Sequence, residues 1–349
     1  MMTISDTDAT QKFGEDGIDT LALGESPTIV GSRKHRARGL GLAAQFFLLA
    51  AALLAVTLGL TVLVAAWRSD QVAERTIRDD LARAPDVWEG YASSRATSAL
   101  DRVRTLAREP GTQAIFAEEV DLATRLSFAT DDAHVVLQEA STIFLFDRYS
   151  RVLARSDRPD GRGVGQPFAS VGWVASVLDS WQGTTAFILE KQSLSLVAAA
   201  PVISGEGDGA QLQGVLAATF IFDDTALGQL QALTRGEILV VADTARRGEE
   251  PQPGLSGSTS GIDGEGLIQD FLADPHVVEQ LFVGGATFGP VTVGGDNRAR
   301  EVLAVPVANS NGNVLAALLV ARSRAEEMAS FYAIRRGLVI AGLLMLGLS

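Results

Sequence analysis

An unbroken apolar run from Leu40 to Ala66, LGLAAQFFLLAAALLAVTLGLTVLVAA, constrains this chain more than any other feature. It holds 27 residues with no charge and no proline. A bilayer's hydrocarbon core takes about 20 apolar residues of helix to cross, whereas a cleaved signal peptide has an apolar centre of about 7–15. The run therefore predicts an uncleaved signal anchor, with the lipid bilayer as a partner. A buried core helix is the poorer reading, because such helices seldom run this far without a charge.

The flanks set the direction. Arg33, Lys34, Arg36 and Arg38 place four formal positive charges just ahead of the run. Positive flanks stay in the cytoplasm, so the N-terminus is expected there and residues from about Trp67 to Arg336 outside, periplasmic or extracellular, on an inner (plasma) membrane. Arg335 and Arg336 run mildly against that tendency, which weights the first helix most. Gly337 to Ser349 (GLVIAGLLMLGLS) is apolar again but too short to span as a helix. It predicts the start of a second, truncated transmembrane helix, and the chain is expected to be the N-terminal part of a longer protein whose remainder is cytoplasmic.

Charge and composition narrow the classes. The formal charge of the chain is −13, of which residues 1–38 contribute −1 and the outer segment −12. A surface of that sign argues against nucleic acid as a partner. There is no cysteine, which excludes disulfides and thiolate-bound metals. The outer segment is long for one core and suits two modules behind a helix.

Residues 1–39 read as a disordered cytoplasmic tail, polar and without apolar period. Trp67 to Arg108 reads as a long stalk helix with Val72, Ile77, Leu81, Trp88, Tyr91, Val103 and Leu106 on one side. Pro85 is expected to kink it or start a new helix. The region through Ala140 is helical in composition. The period then changes: STIFLFD (141–147) and RVLARSD (151–157) predict a hairpin. A Gly/Pro loop (159–167), a short helix (168–181) and three strands (184–190, 194–203 and 212–222) follow. A helix over 224–234 carries Asp223 or Asp224 as its N-cap.

From there the chain repeats. Gly183 to Phe187 is echoed by Gly285 to Phe288, Ala199 to Val202 by Ala304 to Val307, and Gly214 to Ala218 by Asn313 to Ala317. Leu145 to Asp147 matches Val241 to Asp243 less closely. Three echoes in one order at nearly one spacing predict two tandem modules, 141–223 and 224–322, the second entered through the 224–234 helix and followed by a connecting helix over 323–336. The second carries an insertion, Arg246 to Gly266, whose glycines are read as a surface loop: no phosphate-loop Lys-Ser or GxGxxG accompanies them. His35, His134 and His276 fall in different units, and no metal, nucleophile, kinase or cyclase motif is present. The outer segment predicts a binding module, not an enzyme, with no cofactor.

Basic tail, membrane helix, stalk helix, two strand-rich modules and a return helix resemble, in that order, the double Cache sensor domain of bacterial transmembrane receptors, a tandem PAS-like fold. FLFDRYSRVLARSD is similar to the family's first hairpin, and GVLAATFIF and NVLAALLVA to its last strands. The resemblance implies an α/β fold flanked by transmembrane helices, a small-molecule ligand, a homodimer, and a second membrane helix leading through a HAMP linker to a histidine kinase, nucleotide or diguanylate cyclase, or chemoreceptor output. Members that bind α-amino acids carry an Arg two residues before a Trp and an Asp in the last distal strand. Here Val171 precedes Trp173 and Thr219 stands at the Asp position, so that motif is unmet. A membrane-anchored structural or interaction protein with a partner-binding outer domain stays open as the alternative.

The ligand site is expected in the membrane-distal module, which holds Tyr149, Trp173, Trp181 and Phe146 where the second module has no Trp or Tyr. Pockets for small ligands are largely apolar, with a few placed polar groups. Arg155 and Asp157, two apart on one strand, are expected on one face to supply that polarity. The loop 159–167 is expected as a lid. Core filling by the aromatics is the competing reading.

Overall fold

The computed structural model describes residues 41–168, 172–205, 207–245, 251–259, 264–294 and 299–323, with a few more up to 340. The polar N-terminal tail with its basic cluster, Val171 and most of the second apolar run lie outside the described residues. The chain divides into two units, Met1–Leu54 and Ala55–Ser349. In the first, the described residues belong to the opening turns of helix α1 (Leu42–Ala82). Within α1, Gln45–Val64 is long and apolar enough to cross a membrane, and none of its described side chains is buried.

In the second unit α1 ends at Ala82, and α2 (Ala84–Arg108) begins with Pro85 in its first turn. Proline lacks an amide donor, and the first turn is where none is needed. One face of α2 buries Trp88, Ala92, Ala99, Val103 and Leu106. Four short helical pieces follow: α3 (Pro110–Ile115), α4 (Leu122–Ser127), a π-helical turn (Phe128–Asp132) and α5 (Ala133–Val136).

The first module is a five-stranded antiparallel sheet: β1 (Thr142–Asp147), β2 (Val152–Arg155), β3 (Thr184–Glu190), β4 (Ser193–Ser204) and β5 (Gln211–Ile221), in the order β2-β1-β5-β4-β3. Helix α6 (Gly172–Ser180) lies between β2 and β3 in sequence. Helix α7 (Asp224–Thr234) leads to the second module, capped by the Asp223 carboxylate, which accepts from the Ala226 amide at 2.9 Å. Tyr91 ties α2 to α7 by donating its hydroxyl to the Ala226 carbonyl at 3.1 Å. Burial holds the Tyr91 phenol above its ordinary pKa, partly offset by Arg95, so it stays a neutral donor.

The second sheet has the same order, β7-β6-β10-β9-β8, built from β6 (Glu237–Asp243), β7 (Pro253–Ser258), β8 (Phe288–Val293), β9 (Arg300–Ala308) and β10 (Val314–Ser323). Helices α8 (Gly264–Leu272) and α9 (Pro275–Val278), with a π-helical turn (Glu279–Val283), stand between β7 and β8. Strand β7 corrects the sequence reading of 246–266 as a loop throughout. PGLSGS has loop composition, but it pairs along β6 as an edge strand, with its proline at the first position. Pairing partners, not local propensity, make it a strand. The sequence echoes fall in corresponding strands, Pro201 in β4 and Pro306 in β9, Val215 in β5 and Val314 in β10, but in different register: Pro201 is opposite Val215, whereas Pro306 is opposite Ala317. Asp147 and Asp243 end β1 and β6, and each carboxylate accepts amides of the following turn.

Alternation along each strand sends side chains to two cores. Ile143, Leu145, Leu196, Leu216 and Phe220 of the first sheet and Leu303, Val305, Leu318 and Val320 of the second join Ile77, Leu81, Trp88 and Leu106 in one cluster along the stalk. The opposite faces hold separate clusters, one in each module. This is an α/β fold with a long N-terminal helix and two tandem modules, each a five-stranded antiparallel sheet of the same strand order.

Candidate functional site

The face of the first sheet turned away from the stalk collects the first module's polar chemistry. On β1 it presents Thr142, Phe144 and Phe146; β5 adds Val215, Ala217 and Thr219, and β4 adds Ser195, Val197 and Ala199. Arg155 on β2 is directly opposite Phe144. Helix α6 lays Trp173, Val174 and Val177 over this face.

Arg155 is held in a bidentate ion pair. Its Nε donates to Asp157 Oδ1 at 2.9 Å and its Nη2 to Oδ2 at 2.8 Å, with both side chains largely buried. Asp157 lies in the turn after β2 rather than on the strand, and the turn carries it back to the guanidinium. The guanidinium also covers the rings of Phe144 (4.9 Å) and Phe168 (5.8 Å). Phe144 stacks on Phe146 at 5.8 Å, and Phe146 meets Trp173 edge to face at 5.7 Å. A planar guanidinium on an aromatic wall is a pre-oriented fork for a carboxylate or another oxygen acceptor. The loop 159–167 runs along β2: the Gly165 amide donates to the Val152 carbonyl and the Val152 amide to Gln166. It delivers Phe168 to the wall.

Of the six residues singled out from sequence, Arg155, Asp157, Phe146 and Trp173 meet on this face. Tyr149 and Trp181 do not. Tyr149 is exposed in the β1–β2 turn between the guanidinium groups of Arg148 and Arg151. Trp181 is exposed after α6, where the backbone turns left-handed.

Sequence reading missed a second polar group on the same face. Glu190, at the end of β3, accepts from the Thr142 hydroxyl at 2.7 Å and the Thr219 hydroxyl at 2.9 Å, with Ser141 Oγ at 3.4 Å. Among the described residues no cation pairs with this carboxylate. Thr142 is two positions from Phe144, about 7 Å along β1 at ~3.3 Å per residue, so the hydroxyl that holds Glu190 and the ring that Arg155 covers are successive residues on one face of that strand. Two buried polar atoms on this face have no partner among the described residues: Trp173 Nε1 (residue 4% exposed) and Ser195 Oγ (0% exposed). A buried polar group left unpaired costs about 1–3 kcal/mol. The sequence signal was present but weak: Thr142, Ser195 and Thr219 are hydroxyl residues at inward positions of otherwise apolar strands.

No protein-family model matches the chain, and no curated protein matches it by sequence. Solved structures are similar in fold. The sensory domain of the Campylobacter jejuni chemoreceptor Tlp3 (CcmL) is 14% identical with a TM-score of 0.41, over 74% of this chain and 98% of that one. The same domain with isoleucine bound is 13% identical at a TM-score of 0.40, over 74% and 97%. The periplasmic domain of Vibrio cholerae LuxQ is 10% identical at a TM-score of 0.39, over 70% of this chain and 99% of that one.

Proposed function

We propose that this chain is the sensory input region of a transmembrane receptor, binding a small polar molecule outside the cytoplasm at the distal module. The observation that carries this reading is the distal face itself. A pre-paired guanidinium, an uncompensated carboxylate and two unpartnered buried polar atoms share one aromatic-walled surface. A ligand fitting it offers oxygen acceptors toward Arg155 and Trp173 Nε1 and a cationic or hydrogen-bond-donating group toward Glu190. Binding there relieves desolvation costs already present in the fold. The proposal includes membrane passage by α1, a homodimer, and relay through a second membrane helix to a cytoplasmic kinase, cyclase or chemoreceptor output.

The site is tested by thermal shift of the full chain in detergent against a panel of small polar metabolites. A hit is expected to lose its stabilisation at least tenfold in concentration with Glu190→Gln, with little change in the unliganded melting point, and likewise with Arg155→Gln, which also lowers the unliganded melting point because it leaves Asp157 buried without its partner. A shift unchanged in both variants moves the pocket elsewhere. Topology is tested separately by reporter fusions after residues 30 and 240. They are expected on opposite sides of the membrane, and both reporting cytoplasmic ends the receptor reading.

A further inference from the structure

The base of the second sheet holds a charge arrangement that the ligand site does not use. On the stalk-facing side of β10, Arg322 follows Ala316, Leu318 and Val320 at alternate positions, yet it is 7% exposed. Its Nη1 donates to Asp80 Oδ2 of α1 at 2.7 Å, joining residues 242 apart in sequence. Asp80 is also flanked by Arg83 at 3.7 Å. Directly opposite Arg322 in the β9–β10 register is Glu301, 3% exposed. Glu301 Oε1 accepts from the Thr292 hydroxyl of β8 at 2.7 Å, while Oε2 is buried with no hydrogen-bond partner among the described residues. On the other face of the sheet Arg300 pairs with Glu237 across β10.

Directly opposed side chains on an antiparallel pair have Cβ atoms about 5 Å apart. Among the described residues, Arg322 is thus within reach of two carboxylates. One is on the stalk helix that continues from the first apolar run; the other is on its own sheet. A buried carboxylate oxygen without a partner is costly, and turning Arg322 onto Glu301 removes that cost while releasing Asp80 toward water and Arg83. Interactions that trade one partner for another of similar worth make a two-state element. We propose that Arg322 is a two-position latch. In the state described it ties β10 to the stalk through Asp80, and in a second state it pairs with Glu301 and frees the stalk to slide against the sheet. The latch sits at the end of β10, beside Ser323, so its position sets how that end of the second sheet is placed against α1. Its purpose rests on the sensory reading, but its existence does not.

The test needs no ligand, so its failure is distinct from failure of the site. The chain has no cysteine, so Arg75→Cys on α1 and Asn311→Cys on the β9–β10 turn give one clean spin-label pair in the full chain in lipid nanodiscs. The parent protein is expected to show one dominant distance. Asp80→Asn is expected to move at least half of the pairs to a second distance, displaced by about 3 Å, one residue's rise along a strand. Adding Glu301→Gln to Asp80→Asn is expected to abolish that second distance. An unchanged distance in Asp80→Asn, or a second distance that survives in the double variant, overturns the latch. Melting gives an independent check: Glu301→Gln alone is expected to hold or raise the melting temperature, and a clear fall overturns the proposal by showing that Glu301 is already well satisfied.

Discussion

Replacing Gly214 with alanine is expected to cost about 3 kcal/mol or more, at the upper end of what overpacking a core does. Gly214 lies on β5, the middle strand of the distal sheet, opposite Asp147 of β1. A Cβ there would come 2.1 Å from the carbonyl oxygen of Phe146 and 2.8 Å from the Phe116 ring. The nearest atom is backbone, so no rotamer change relieves the clash; β1 must move away from β5. That movement displaces Phe144 and Phe146, the wall against which Arg155 is held. The melting temperature is expected to fall by about 6–12 °C, taking ~2–4 °C per kcal/mol for a chain of this size, with loss of the response to any hit from the ligand panel. Gly90→Ala is the control. It is exposed inside α2 with nothing near its would-be Cβ, and it is expected to gain about 0.5–1 kcal/mol from helix propensity. A Gly214→Ala protein that melts with the parent would show that the two strands are not held as close as described.

Trp88→Ala is expected to cost about 3–5 kcal/mol, as large-to-small changes of buried aromatics do. Trp88 is buried on α2, with its ring 5.7 Å from Phe187 of β3 and 5.4 Å from Phe222. It is the largest side chain pinning the stalk to the distal sheet. Truncation leaves a cavity between helix and sheet that neither can close without losing the Val103 and Leu106 contacts further along the same helix face. Trp88→Phe is expected to recover more than half of the loss. Chemical denaturation read by circular dichroism distinguishes the two variants. Equal stability of Trp88→Ala and the parent would mean that Trp88 does not pin the stalk to the first sheet.

Both variants probe regions whose elements were legible in the sequence for physical reasons. The strand 184–190 and the helix 224–234 stand as read because their limits are set locally, by the Gly183 turn before one and the Asp223 cap before the other. The stalk break at Pro85 is legible for the same reason. Strand β7 was not legible, because PGLSGS becomes a strand only through β6. The distal face divides along the same line. Arg155 and Asp157 were found together because they are neighbours in sequence, whereas Glu190 meets Thr142, Thr219 and Ser141 across separations of 48, 29 and 49 residues. No local pattern announces such a group. Tyr149 and Trp181 show the converse: aromatic character marks a residue that is worth burying, but the turn it occupies decides whether it is buried.

The strand order has a consequence for how the protein is made. In each sheet the middle strand is the last of its five to be synthesised, β5 in the distal module and β10 in the proximal one. The hairpin β1–β2 and the pair β3–β4 are able to form as they emerge, but they remain two separate ribbons until β5 enters between them. The growing chain therefore completes its first sheet once Ile221 has emerged, while its second sheet stays split until Ser323 follows. Until then β6 and β9 each offer an open edge able to pair with any extended segment nearby. Closing a sheet by its central strand is a non-local and slow step. A ribosome stalled before Val314 would thus hold a finished first sheet together with an unfinished, aggregation-prone second one.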